Sequence, residues 1–183
     1  MIYRLDFDLD KYSALFIDPD EMEEVMDDLY YPEGEPLSGE WNAPKGVLCD
    51  GKDQGRDLES SDICTWEGNL VLGPKAYELL GDKLRPYSEL LPVYVNSELW
   101  YVVNILTVTD AVDYTKSEQD LRGGIYVGLK SLQFNEGMLT NILLFKTDFD
   151  EKVGNFCNER FREEVEDTCR LTGVVFRTNL ERP

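Results

Sequence analysis

Histidine is absent from this chain, and that removes much of the chemistry a small protein performs near neutral pH. Ser-His-Asp and Cys-His catalysis need an imidazole to move the proton, and histidine-mediated metal binding goes with it. Carboxylate and lysine chemistry remain. Asp and Glu number 37 against 18 Lys and Arg, a formal net charge of -19 at pH 7. With so many carboxylates, mere abundance selects no pair. A glycosidase-type site needs two placed across a cleft, one with its pKa raised by burial. Asp110 and Asp113, in "TDAVDYTKS" after the strongest strand pattern, are the least arbitrary acid or base for a carboxylate-dependent enzyme. The competing reading is a turn in which Asp and Ser side chains bond nearby backbone N–H groups, and it carries more weight because such residues are so common there.

Other site chemistries find little support. Cys49, Cys64, Cys157 and Cys169 follow no C-x-x-C spacing, so neither a zinc site nor a redox pair is indicated. Reduced thiols in a cytoplasmic protein are the expectation. "DGKDQGRDLESSD" (50–62) imitates a calcium loop, with Gly55 in sixth place counted from Asp50. Lys52 then falls on a ligand position and Ser61 replaces the bidentate Glu, so the match fails. Neither Gly-rich phosphate motif occurs, and the single "RGG" at 122–124 reads as a loop. No cofactor and no metal are expected.

The stretch "DEMEEVMDDLYYPEGE" (20–35) holds eight carboxylates in sixteen positions with no Lys or Arg. Residues 1–67 contain 19 acids and 5 bases, a net of -14, and residues 68–183 contain 18 and 13, a net of -5. Such a field repels nucleic acid and anionic membranes, so neither is expected as a partner, and it steers a cationic protein inward. Tyr30, Tyr31, Trp41 and Trp66 are mixed in, and rings beside carboxylates suit a protein-binding surface, with anchors and steering charges together. The candidate binding set is therefore Glu23, Glu24, Asp27, Asp28 and Glu33 with those four aromatics. The plainer alternative is a solvated face that keeps the protein soluble.

The elements that must position these residues are legible in part. "IYRLDFDL" (2–9) reads as a half-buried strand. Asp18 as N-cap, Pro19 at the first helical position and Glu21 in a capping box open a helix, with Met22, Val25, Met26 and Leu29 as its apolar stripe. Asp27 and Asp28 lie near its C-terminal end, where they oppose the helix dipole. Residues 31–61 read as a long irregular excursion. "NLVL" (69–72) is a strand, "PKAYELLGDKL" (74–84) a helix, and "ELLPVYV" and "LWYVVNILTV" a hairpin turning at "NSE". "GIYVGLKSLQF" and "MLTNILLFK" read as two strands joined at "NEG", followed by a helix over 158–170 and a strand at "TGVVFRT". Strands beside strands, with helices at intervals, predict an α+β fold with a largely antiparallel sheet and two or three helices in one domain. Residues 1–60 form its acidic strand, helix and loop, and 61–183 its core. No apolar run approaches the roughly 20 residues of a membrane span, and "MIYRLDFDLD" lacks the features of a secretory signal.

The C-terminal two-thirds resembles the bacterial immunity proteins of polymorphic-toxin systems, immunity protein family eleven. The resemblance rests on an ordered series: "SDI" (61–63), "LVLGPKAYELL" (70–80), "LLPVYV" (90–95), "WYVVNILTVTDAVDYTKSE" (100–118), "LLFK" (143–146) and "RFREEVEDTCRLTGVVF" (160–176). Gly73 stands where the family usually has Ser, and Cys157 where a small capping residue is expected. The resemblance implies a non-enzymatic protein that binds and neutralises a cognate toxin encoded beside it. It supplies no catalytic residues. Asp62, Asp110, Asp113 and Ser117 match family positions in turn settings that suit holding the fold. Combined with the charge, it implies occlusion of a basic, nuclease-like toxin by an acidic surface, with oligomeric state open. An acidic mimic of nucleic acid, binding many basic proteins, is the further alternative.

Overall fold

The computed structural model describes residues 1–181; Arg182 and Pro183, the end of the 61–183 core, lie outside the described residues. Its larger sheet has six strands: β2 (Ala14–Ile17), β3 (Lys45–Cys49), β4 (Ile63–Trp66), β5 (Asn69–Leu72), β6 (Ser88–Val95) and β7 (Glu98–Ile105). Their order is β2-β3-β6-β7-β5-β4, with only β3 and β6 parallel. The two edge strands, β2 and β4, lie against each other, so the sheet curls into a nearly closed barrel. The β6–β7 turn places Asn96 and Ser97 at φ 49° and 70°, the paired positive angles of a two-residue hairpin.

A smaller antiparallel sheet runs β10-β11-β1-β12, where β1 is Ile2–Phe7, β10 Leu144–Phe145, β11 Phe156–Asn158 and β12 Val174–Arg177. The strand nearest the N-terminus is therefore interior to a sheet whose other members come from the last forty positions. A separate hairpin pairs β8 (Glu118–Arg122) with β9 (Ile125–Ser131). The helices are α1 (Pro19–Met26), α2 (Pro74–Leu84) and α3 (Glu159–Glu163), the last continuing as a π-helical turn over Glu164–Thr168. No helix among the described residues is long and apolar enough to cross a membrane.

Alternation along the strands divides the apolar residues into separate cores. Leu15, Ile17, Trp66, Val93, Trp100 and Val102 point into the barrel, where Met22 and Met26 of α1 and the loop residue Trp41 close it. The opposite face of β4, β5 and β7 meets α2, α3 and β1 through Ile63, Leu72, Val103, Leu80, Phe161 and Leu5. A third cluster packs Phe145 and Phe156 under Ala111, Val112, Leu132 and Leu139.

The fold is α+β, and β5 and α2 match their expected limits. Gly73 is the N-cap of α2 without a side-chain bond, and Asn158, beside the buried Cys157, caps α3 by accepting from the Phe161 N–H at 3.1 Å. Three readings need correction. The 31–61 excursion contains β3, and β2 precedes α1. The final helix is a short α-turn and a π-turn. The strand at 125–131 does not pair with 138–146; β8, a polar strand that shows no sequence signal, takes that place, and only Leu144–Phe145 of the latter segment is extended, against β11. The Gly123–Gly124 turn, with φ 61° and 83°, makes the local hairpin the easier closure.

Candidate interaction surface

Helix α1 carries most of the candidate set. Asp18 has extended backbone, and its side chain accepts from the Asp20 N–H at 3.0 Å, satisfying a free donor of the first turn. Glu21 does not complete a capping box. It accepts from the Lys45 N–H at 3.0 Å and so fastens the helix to β3. Met22 and Met26 are buried in the barrel, whereas Leu29 lies beyond the helix end and is exposed. Asp27 ends the helix in the left-handed region at φ 63°, a conformation short polar side chains tolerate better than most. Asp28 turns back to accept from the Leu29 N–H at 2.7 Å. The two acids that oppose the helix dipole thus have a local role in ending it.

Glu23, Glu24, Asp27, Asp28 and Glu33 are all exposed. Of the eight carboxylates in 20–35, Glu21 pairs loosely with Lys45 at 4.0 Å and Glu35 with Lys152 at 2.9 Å; the other six make no ion pair among the described residues.

The aromatics divide differently. Tyr31 is 39% exposed and stacks on Trp66 with ring centroids 5.6 Å apart. Tyr30 is half-buried against the barrel core. Trp66 and Trp41 are 3% and 8% exposed, meeting edge to face at 6.1 Å, and the Trp41 Nε1–H donates to the Pro92 carbonyl at 2.8 Å. Both tryptophans are core residues, which corrects their expected place on the surface. All four residues of β4 are buried, and "ICTW", apolar on both faces, is the signal that marks a strand covered on both sides.

Glu33 and Glu35 rim a cleft of about 510 Å³ whose wall includes Lys146 and Asn155. Lys146 is 3% exposed, and its ammonium donates to the Lys152 carbonyl at 2.8 Å. Burial pulls its pKa from 10.5 down to about 8. Asp150 beside it is fully buried and accepts from the Gly154 N–H at 2.8 Å, and burial pushes its pKa up. Between pH 8 and 10.5 the folded state has released the Lys146 proton while the unfolded chain holds it. Stability from this group therefore rises with pH across that window. Chemical denaturation at pH 7.5, 9 and 10.5 should show the rise in the wild type, and Lys146→Met should flatten it by an amount on the order of 1–3 kcal/mol.

The residues considered for catalysis hold turns. Asp113 accepts from the Thr115 N–H at 3.1 Å and hydroxyl at 2.6 Å and pairs with Lys116 at 2.8 Å. Lys116 draws its pKa down, opposite to the shift a general acid requires. Asp110 accepts from the Tyr114 hydroxyl. Ser117 donates to the Gln133 carbonyl at 3.2 Å and accepts from the Gln133 N–H at 3.0 Å. Asp62 ties the start of β4 to Thr172 and Lys75. In the calcium-like loop, Asp50 is held by the Arg56 guanidinium at 2.7 and 3.0 Å and by three backbone N–H groups. These contacts hold its carboxyl far below the usual range.

Residues 94–180 match the immunity protein family Imm11. The Imm11 match begins near the end of β6 and runs through β12, so it takes in Asp110, Asp113 and Ser117 and leaves α1 outside. A comparison with curated proteins finds no match. The match suggests a role in toxin immunity, with a toxin as partner, and a non-enzymatic protein.

Proposed function

We propose that the protein acts in the cytoplasm by binding a cognate bacterial toxin and occluding its active or substrate-binding site with an acidic surface. That surface is formed by Glu23, Glu24, Asp27, Asp28 and Glu33, with Tyr31 beside them. The observation that carries this reading is that six of the eight carboxylates of 20–35 make no ion pair among the described residues. Like charges so close repel one another and weaken the compact state, and a cationic partner relieves that repulsion. A toxin that acts on nucleic acid carries a basic groove, so a nuclease-like toxin fits the field. A standard interface takes about 800 Å² from each partner, a small share of the 9657 Å² exposed here.

The test is stopped-flow binding to a catalytically inactive form of the toxin encoded beside this gene, at low and high salt. Glu23→Gln, Glu24→Gln, Asp27→Asn and Asp28→Asn together should slow association about 10- to 100-fold at low salt and flatten its salt dependence. Thermal stability should not fall, since Asn also accepts the left-handed conformation at 27. An unchanged rate with an unchanged salt dependence would remove the acidic surface from the mechanism. Failure of the wild type to bind the toxin at all would remove the immunity reading itself.

A further inference from the structure

The outer face of the barrel is covered only in part. Over β5 and β7, α2 packs against it, and Tyr77 lies on Tyr101 with ring centroids 3.8 Å apart. Over β2, β3 and the hairpin end of β6 and β7 four large outward side chains are exposed. Phe16 is 48% exposed, Val47 53%, Tyr94 45% and Leu99 40%. Phe16 stands opposite Val47, Lys45 opposite Tyr94, and Tyr94 opposite Leu99. These four therefore form one band crossing four adjacent strands on the same face. A sheet face meant only for water alternates apolar-in with polar-out. Here β2 and β3 carry apolar residues on both sides, and scattered single exposures do not produce such a band.

One end of the band runs into α1. Phe16, Val47 and Lys45 share a hollow of about 360 Å³ with Asp18, Asp20 and Glu24. None of those three carboxylates makes an ion pair among the described residues, and Lys45, with its side chain 81% exposed, stands off Glu21 at 4.0 Å. An apolar centre with a charged rim is the general plan of a protein interface. A rim of nearly one sign states the charge of what it meets.

We propose that this band seats the toxin: an apolar side chain of the toxin rests on Phe16, Val47, Tyr94 and Leu99, and a neighbouring Arg or Lys enters the hollow among Asp18, Asp20 and Glu24. The inference rests on the toxin-immunity reading and assigns it a surface. It also divides the labour, since the outer carboxylates of α1 set the rate of encounter while the apolar band sets the lifetime of the complex.

The experiment pairs binding kinetics against the inactive toxin with sedimentation of the free protein. Val47→Ser, Tyr94→Ser and Leu99→Ser combined alter exposed side chains, and thermal unfolding confirms that the variant is folded; Tyr94→Ser alone is the reserve should the triple variant fail to fold. The triple variant should weaken binding about 100-fold, almost wholly through faster dissociation, with the salt dependence of association retained. Unchanged affinity, with the wild type binding tightly, would overturn this surface and leave the immunity reading intact. A wild-type dimer that the triple variant dissolves would assign the band to a second copy of the chain and overturn it equally. Absence of any wild-type binding to the toxin would remove both readings.

Discussion

Replacing Gly173 with alanine should cost about 3–5 kcal/mol of stability, combining backbone strain with overpacking. Gly173 precedes β12 at φ 108°, and a Cβ there would lie 1.8 Å from the Ile63 carbonyl oxygen and 2.8 Å from the Ser61 Cβ. Neither obstacle can yield easily. The Ile63 oxygen accepts from the Ser61 hydroxyl at 2.8 Å, while the Ile63 N–H donates to the Thr172 carbonyl at 3.0 Å. The crossing is where the end of the small sheet is laced to the first residue of β4, so relief of the clash must part the barrel from the layer beside it. For a domain of this size the melting temperature should fall by roughly 6–20 °C, read by calorimetric unfolding. Gly55→Ala is the control. Gly55 also has positive φ, 68°, but nothing lies within 4 Å of its missing Cβ, so only the backbone term remains, about 1 kcal/mol. Equal losses at the two positions would show that steric contact is not the cause at 173.

Trp66→Ala is expected to lose about 3–5 kcal/mol, the usual range for emptying a large aromatic site in a core. Trp66 is 3% exposed, lies between Tyr31 and Trp41, and faces the barrel interior. The change therefore opens a cavity and also frees the loop that carries Tyr31. Tyr31→Ala should cost less than about 1.5 kcal/mol, since its ring is already partly in water and loses little beyond one stacking contact. On the immunity reading the two variants separate. Trp66→Ala loses protection because the fold is weakened and should recover binding at low temperature, whereas Tyr31→Ala keeps the fold and binds more weakly at every temperature. Urea unfolding beside binding at two temperatures distinguishes them. Full stability in Trp66→Ala would show that the tryptophan is not part of the core.

What could be read from the residues follows the reach of the forces involved. Pro74 at the head of α2, the Asn-Ser turn between β6 and β7 and the run at β5 are local signals, and those elements stand where expected. Strands β2 and β3 escaped because they are only four and five residues long and their apolar residues point both ways, β3 within a Gly- and Pro-rich setting. Their pairing with each other and with β6 is long-range. β8, "EQDLR", has no apolar alternation at all and exists because β9 turns back on it. At the surface, Glu23, Glu24, Asp27, Asp28 and Glu33 are exposed as their charge leads one to expect, since charge resists burial. Composition could not place the tryptophans, because an indole suits a core and an interface equally. The band from Phe16 to Leu99 was invisible for a related reason: its members come from four strands and become neighbours only when the sheet forms.

The position of β1 has a consequence for timing in the cell. Ile2 pairs with Asn158 and Arg4 with Arg177, separations of 156 and 173 positions (158 − 2 and 177 − 4). At synthesis rates of about 5–20 residues per second, the first strand waits roughly 8–35 s on the ribosome before its partners exist. During that interval Ile2, Tyr3 and Leu5, all buried in the finished protein, have no sheet to join. The small sheet therefore closes only after residue 177 has been made. On the immunity reading, a chain still being made offers no defence, and a cell meeting the toxin is guarded by the finished copies it already holds.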